Sequence, residues 1–384
     1  MILMGGLLHD GRVRKEAVSL SDHGCKVTVL TMPRAPEGGA GLQGIAVREI
    51  ILKTRGLSIG IVGLIVKYFE FVIRAVAKAV RTKARVYHAH DLPTLLPAYI
   101  AARLGSGQLV YDAHELFSEQ GSTFSDNKYW RNLERWLLKR VDGILTTNES
   151  RAEIIHREYG AKLRPIPIYN CPVVPENLPD TSPLREFVSQ ADPGFRRIVL
   201  FHGAISAGRQ CETLVNAAKD LDNGTAVVFL GYASPESYLA VLKDCAAQQG
   251  TAHKVFFHPA VPNDRVIEYI RSADVGVVFY ENTCRNNYYC ASNKLFDFLS
   301  VGVPILGSDI PGINEIVQGR DVGIAVDSDN SHKVAKAINR LISDEVSYNR
   351  MRENAIRLSR KRFNWGHQEK ALLAFYRTLL RSPE

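Results

Sequence analysis

Short apolar runs alternate with helical repeats along the whole chain, and this alternation constrains the fold more than any other feature. In the first half, strand-like runs occupy 26–31 (Lys-Val-Thr-Val-Leu-Thr), 45–52, 85–89, 108–112 and 143–147, preceded by a very short one from Ile2 to Met4. Helical patterns lie between them, at about 12–23, 60–81, 93–104, 126–140 and 149–158. The second half repeats the scheme, with strands at 197–202, 226–231, 254–258, 275–279, 303–306 and 322–326. Its helices are expected at 208–220, 234–248, 264–272, 291–300, 331–344 and 346–361. Alternation of this kind means βαβ units and a parallel sheet covered by helices on both faces. The strands are rich in Val, Ile, Leu and Phe and mostly unalternated, as burial on both faces demands.

A chain of 384 residues exceeds what one core usually serves. The expected fold class is therefore α/β, with two doubly wound Rossmann-like domains facing each other across a cleft. Residues 1–172 form the first domain, a proline-marked linker follows at 173–195, and 196–363 form the second. The last segment, 364–384, reads as an amphipathic helix bearing Trp365, Phe375 and Tyr376 that returns to the first domain. In such sheets ligands bind outside the carboxyl ends of the strands.

The charge balance of 48 Lys+Arg against 40 Asp+Glu favours anionic partners. The excess is spread out and no aromatic-basic platform is visible, so nucleic acid is not an expected partner. Six cysteines (25, 171, 211, 245, 284, 290) form no C-x-x-C pair, which fits a reduced, cytoplasmic protein without structural zinc. Met1 to Leu8 lacks the basic flank and length of a signal peptide, and the short first strand suggests a start codon upstream. Nothing approaches the ~18 uninterrupted apolar residues of a spanning helix. A soluble protein, or one peripheral to the inner face of a membrane, is expected.

Several strand ends carry residues suited to chemistry. From Asn293 to Asp309, Ser292 is placed to cap a helix whose apolar face is Leu295, Phe296, Phe298 and Leu299, and Gly302 to end it. Lys294 and Asp297 share a face beside the helix N-terminus, where free N–H groups and an ammonium suit a diphosphate and the carboxylate suits a sugar diol. The alternative is a core helix with a solvated Lys–Asp pair. Gly203, Ser206, Gly208 and Arg209 follow a buried strand and offer a phosphate cradle, though Arg209 also suits a surface. Gly5 and Gly6 lie in a strand-to-helix turn, either an ordinary turn or a close approach to ligand, without the G-x-G-x-x-G spacing of a dinucleotide site.

His88-Ala89-His90-Asp91 and Asp112-Ala113-His114-Glu115 end neighbouring strands. They resemble a metal site at first, but no convergent ligand spacing such as H-E-x-x-H is present. Asp327-Ser328-Asp329 precedes a helix and reads as capping rather than metal binding. Residues 57–81 are apolar to Val66. Lys67, Arg74, Lys78 and Arg81 then fall near one helical face, opposite Phe69, Val72, Ile73, Val76 and Val80. The pattern suits either a helix on an anionic membrane, each cation adding roughly 1 kcal/mol, or a helix packed on its own sheet.

Together these segments resemble a retaining family 4 glycosyltransferase of the GT-B fold, nearly end to end. The resemblance is carried by Asp10-x-Arg12-Val13-x-Lys15-Glu16-Ala17, His88-Ala89-His90-Asp91, Val110-Tyr111-Asp112-Ala113-His114-Glu115-Leu116 and Tyr169-Asn170-x-Pro172. It continues through Gly203 to Arg209, Asn293-Lys294-Leu295-Phe296-Asp297 with Gly302-x-Pro304, and Pro311-Gly312-Ile313-x-Glu315-Ile316-Val317. It implies a nucleotide-diphosphate-sugar donor and a lipid-linked or saccharide acceptor, with no cofactor and no metal required. On that implication Gly5, Gly6, Gly203, Arg209, Ser292, Asn293, Lys294 and Asp297 serve the donor. His114 and Asp297 are the catalytic candidates, and His90, Asp91, Glu115 and Tyr289 lie on the acceptor or sugar side. The family's pair of glutamates falls here at Tyr289 and Asp297; the first is no carboxylate and the second is one methylene short. A nucleotide-sugar 2-epimerase of the same fold and a non-catalytic scaffold in polysaccharide assembly are the alternative readings.

Overall fold

The computed structural model describes residues 1–32, 42–57, 60–122, 128–174 and 181–381. Pro175 and Pro179 of the expected linker, and residues 58 and 59 of the 57–81 segment, lie outside the described residues. By internal contacts the chain divides into two units, Met1–Asn170 with Gln368–Glu384, and Cys171–His367.

The first unit holds seven parallel strands: β1 (Ile2–Leu3), β2 (Val27–Thr31), β3 (Ile45–Glu49), β4 (Val86–His90), β5 (Gln108–Ala113), β6 (Gly143–Thr146) and β7 (Ile166–Pro167). Their order is β3-β2-β1-β4-β5-β6-β7. Strand β1 pairs with β2 on one side and β4 on the other, Ile2 lying opposite Leu30 and Ala89. The order reverses there, so the loops after β1 and β4 leave in opposite directions and open a crevice at the strand tips. Asp10 caps the helix Gly11–Asp22 by accepting from the N–H groups of Arg12 (3.1 Å) and Val13 (2.9 Å). The helix Leu92–Gly105 has proline in its first turn and ends at Ser106 in the left-handed region, φ 51°.

From the C-terminal helix Trp365–Arg381, Phe375 lies over Gly143, where a Cβ would come within 2.4 Å of the ring. Gln368 accepts from the Tyr169 N–H at 3.0 Å, and the Tyr376 hydroxyl meets His88 Nδ1 at 2.7 Å.

The second unit holds six parallel strands: β8 (Arg197–Ile205), β9 (Thr225–Ala233), β10 (Val255–Pro259), β11 (Val275–Val278), β12 (Ile305–Ser308) and β13 (Gly323–Val326). Their order, β10-β9-β8-β11-β12-β13, puts the reversal between β8 and β11. Phe201, Phe229, Val277 and Leu306 form a core with Leu214, Leu242 and Ile338 from the covering helices. The helix Asn293–Val301 packs close to the sheet because Gly276 has no side chain: a Cβ there would lie 2.5 Å from the Phe298 ring. Gly302 ends this helix at φ 72°, as its position predicts.

Two expectations are corrected, and one helix adds to them. The segment read as linker carries a helix, Pro183–Ala191, which buries Leu184 and Val188. Its proline, Pro183, occupies the first turn, where the missing N–H costs nothing, so one of the prolines that suggested a linker starts a helix. The helix expected over 208–220 begins only at Cys211, after a 3-10 turn Ala207–Arg209 and a left-handed Gln210. The helix Pro311–Val317, again opened by proline, was not anticipated.

Candidate active site

In the second unit, β8 runs into Gly203, whose φ of +101° suits glycine and where a Cβ would lie 3.0 Å from Lys294 Cε. The lysine stem therefore lies across the space that a side chain would fill. Its Nζ stands 5.1 Å from the Phe201 ring centre and 5.5 Å from that of Tyr280. The Arg209 guanidinium stacks on the same tyrosine, Cζ 3.7 Å from the ring centre. Arg209 Nη1 is buried and has no hydrogen-bond partner among the described residues. Burial, and then the like charge of Arg209, push the Lys294 ammonium down to about 8.

Ser292 stands at the N-cap of the helix Asn293–Val301, but its side chain caps nothing. Its hydroxyl instead accepts from Tyr280 at 3.1 Å, and among the described residues no side chain caps the first turn. Asn293 is exposed beside it. One turn on, Asp297 Oδ2 lies 3.7 Å from His202 Nε2, an imidazole that burial and then Lys294 hold down at about 3, hence neutral. Tyr280 itself is fixed by an N–H bond to Ser308 Oγ at 3.0 Å, and Ser308 meets Ser328 at 2.8 Å.

In the first unit, the tips of β4 and β5 carry a second cluster built around His114. Its Nε2 lies 3.1 Å from Asp112 Oδ2 and 3.2 Å from His90 Nδ1. Its Nδ1 faces Asp91 Oδ2 at 3.6 Å and Asp10 Oδ2 at 4.0 Å. Asp91 accepts from the His114 N–H at 2.9 Å, and its own backbone sits at φ 64°, ψ 162°, which few residues other than glycine adopt. Burial alone would lower the His114 pKa, but Asp91 and Asp112 push it up to about 10. Burial would raise Asp112, yet Arg12 and His114 hold it well below the carboxylate range.

Arg12 is fully buried and grips Asp112 with two bonds, Nε at 2.8 Å and Nη2 at 2.7 Å. It also meets Glu16 at 3.1 Å and donates to the Ile168 carbonyl.

Glu16, His88, His90 and Asp112 bring four donor atoms within 4.8 Å of one another. The fold thus brings together residues that no ligand spacing in the sequence joins. The Arg12 guanidinium already engages both Asp112 oxygens and a Glu16 oxygen, so an ion there would share its carboxylates with a fixed cation. Asp327 is bound by Lys333 at 3.0 Å, and Gln210 donates to Asp329.

The structure thus groups Gly203, Arg209, Ser292, Lys294 and Asp297 in one unit, and His90, Asp91 and His114 in the other. His90, expected on the acceptor or sugar side, is only 1% exposed and meets His114 Nε2 through its Nδ1. Glu115 is exposed and takes a bond from Gln120. Tyr289 ends the short helix Arg285–Tyr288, with its ring under Arg285 at 5.7 Å. Around Gly5 a Cβ would meet only Leu3, at 4.0 Å, so packing within the unit does not demand glycine there.

Sequence reasoning missed the Tyr280 platform, the His202–Asp297 pair and the role of Arg12. The only available signals were an aromatic residue just past a buried strand and a basic residue two positions after a cap.

Two family descriptions match consecutive parts of the chain: "Glycosyl transferase 4-like domain" over residues 11–171 and "Glycosyl transferases group 1" over residues 185–358. A D-inositol 3-phosphate glycosyltransferase of Xylanimonas cellulosilytica is 25% identical over 63% of this chain, which spans 58% of that protein's length. Among solved structures, sucrose-phosphate synthase from Thermosynechococcus elongatus has a TM-score of 0.79 at 18% identity, covering 99% of this chain and 98% of its own. The Anabaena protein Alr3699/HepE, solved with UDP and glucose, has a TM-score of 0.74 at 17% identity, covering 98% of this chain and 99% of its own. At these identities the structural likeness shows the GT-B fold.

Proposed function

From the two glycosyltransferase descriptions that match the chain in turn, we propose the reaction that it carries out. It moves a hexose-type sugar from a nucleotide-diphosphate donor to a lipid-linked or saccharide acceptor with retention of configuration, in bacterial surface-polysaccharide assembly. The bond from the anomeric carbon to the diphosphate oxygen breaks and one to the acceptor oxygen forms. The acceptor's proton leaves with the diphosphate. Negative charge therefore grows on phosphate oxygens in the transition state, and cations fixed beforehand stabilise it best there.

Arg209 and Lys294 supply those cations, together with the uncapped first turn behind Asn293. With two cations in place the transfer needs no bound metal or other cofactor. Asp297 takes the ribose diol. His114 meets the donor sugar, the Gly5–Gly6 turn borders it, and Asp91, Glu115 and Tyr289 serve the sugar or acceptor side. The solved complex of the Anabaena neighbour with UDP and glucose supports a nucleotide-sugar donor. The first unit works at an anionic membrane surface through the 57–81 segment. Among the described residues no helix is long and apolar enough to cross a membrane.

One observation carries this reading: an arginine and a lysine stacked on one tyrosine beside an uncapped helix start. Saturation-transfer NMR against UDP-, GDP- and ADP-sugars tests it, and at least one should bind, through contacts that Lys294→Ala removes. Failure of all three to bind refutes the donor site. Conversion of the donor sugar without acceptor would favour the epimerase reading instead.

A further inference from the structure

The helix Ile61–Val80 is apolar on two adjoining faces. Phe71, Val72, Ala75 and Ala79 are buried and hold it to the first unit. On another face Val62 (75% exposed), Ile65, Val66, Phe69 (61%) and Ile73 (68%) stand bare to solvent. At 100° per residue these five fall within about 100° of arc, a continuous stripe rather than scattered exposed side chains. Lys67, Arg74, Lys78 and Arg81 lie along one edge; Arg74 is paired with Glu70, the one carboxylate on this helix, and Lys67 donates to the Leu57 carbonyl at 2.8 Å. A second helix, Lys128–Leu138, joins it through Trp130 against Tyr68, ring centres 5.2 Å apart. That helix adds exposed Lys128, Arg131 and Arg135, while its own carboxylate, Glu134, is buried.

We infer that this stripe inserts into the interfacial layer of an anionic lipid bilayer, with the flanking cations on headgroup phosphates. The inference rests on the membrane-side reading of the 57–81 segment above. It adds the mode of attachment, which is apolar insertion and not charge attraction alone, and it names the side chains that enter the lipid. A stripe of five apolar side chains beside cations is the pattern of a helix lying in the membrane plane, with its apolar face sunk about 5–10 Å. The charge distribution argues against a second copy as the occupant, since pairing two stripes would bring the same cations face to face.

The test uses the full chain and sedimentation with vesicles of phosphatidylglycerol and phosphatidylethanolamine, against vesicles of phosphatidylcholine alone. The chain should bind the anionic vesicles and keep a large part of that binding in about 0.5 M NaCl, where exposed charge pairs are screened. Phe69→Ser with Ile73→Ser should reduce bound protein at least tenfold. Both positions are exposed, so the melting curve should not move. The same variant should bind the nucleotide-sugar donor as the parent does, which separates loss of insertion from failure of the donor reading. Three results overturn the inference: parental binding by the double variant, binding abolished by salt, or a dimer in light scattering that the double variant disperses.

Discussion

Replacing Asp91 by Asn tests whether His114 is held as a cation. The substitution keeps the shape and an oxygen to accept from the His114 N–H, and asparagine is no bulkier than aspartate at this backbone of φ 64°, ψ 162°. It removes the carboxylate that lies 3.6 Å from Nδ1. Two unit charges at that separation interact by about 4–5 kcal/mol at an effective dielectric of 20. The Asp91 side chain is 33% exposed, and screening by solvent brings this to about 2 kcal/mol. That is about 1.5 pKa units. The His114 midpoint should therefore fall from about 10 toward the middle eights, with Asp112 still holding Nε2. The assay is long-range nitrogen–proton NMR of the imidazole across pH 5–11, with the signal assigned by its absence in His114→Gln. A parental midpoint near the ordinary histidine value, or one unchanged by Asp91→Asn, refutes the carboxylate-cage argument.

Stability should follow the same group. The folded pKa of His114 is raised, so its contribution is fully present below about 6.5 and is lost as pH climbs through about 10. Melting temperature should decline over that window by differential scanning fluorimetry, and decline less in His114→Gln. Lys294→Ala should lower kcat by about a hundred- to a thousandfold in a coupled transfer assay, with unchanged circular dichroism. Because Lys294 loses its proton near 8, the donor affinity of the parent should weaken above that pH in calorimetric titrations. Gly203→Ala puts a Cβ 3.0 Å from Lys294 Cε at φ +101°, so it should cost about 1 kcal/mol of stability and weaken donor binding in the same titration.

The alternation of apolar runs placed most strands within a residue or two, because strands buried on both faces are written as unbroken Val, Ile and Leu. What failed was the meaning of proline. Pro183 and Pro311 open helices, and a proline in the first helical turn looks, from one sequence, the same as a proline that breaks a segment. Two-residue β7 was invisible because nothing in Ile166–Pro167 repeats. At the site, residue types at strand tips were legible, whereas partnerships were not. Arg12 meets Asp112 a hundred positions away and Tyr376 reaches His88 across 288, distances over which no local pattern operates. The burial of His90 was hidden for the same reason: its position at a strand end is visible, but its burial depends on which helix covers it.

The two units place charge at the same topological point, yet they balance it differently, and this difference indicates where an anion would go. At the β1/β4 reversal Arg12 is answered by Asp112 and Glu16, and His114 by Asp112, Asp91 and Asp10. A diphosphate added there would meet carboxylates. At the β8/β11 reversal Arg209 and Lys294 are instead stacked on one ring, and burial followed by their mutual repulsion depresses the lysine. Asp297 is turned toward His202. Two cations held side by side at such a cost are stabilised when a polyanion arrives, and Lys294 should then take up a larger share of its proton. Binding of a nucleoside diphosphate near pH 8 should accordingly draw protons from buffer, a heat that scales with buffer ionisation enthalpy in calorimetry. Equal heats in phosphate and Tris would mean that the lysine was already relaxed, and the electrostatic reason for placing the diphosphate there would be lost.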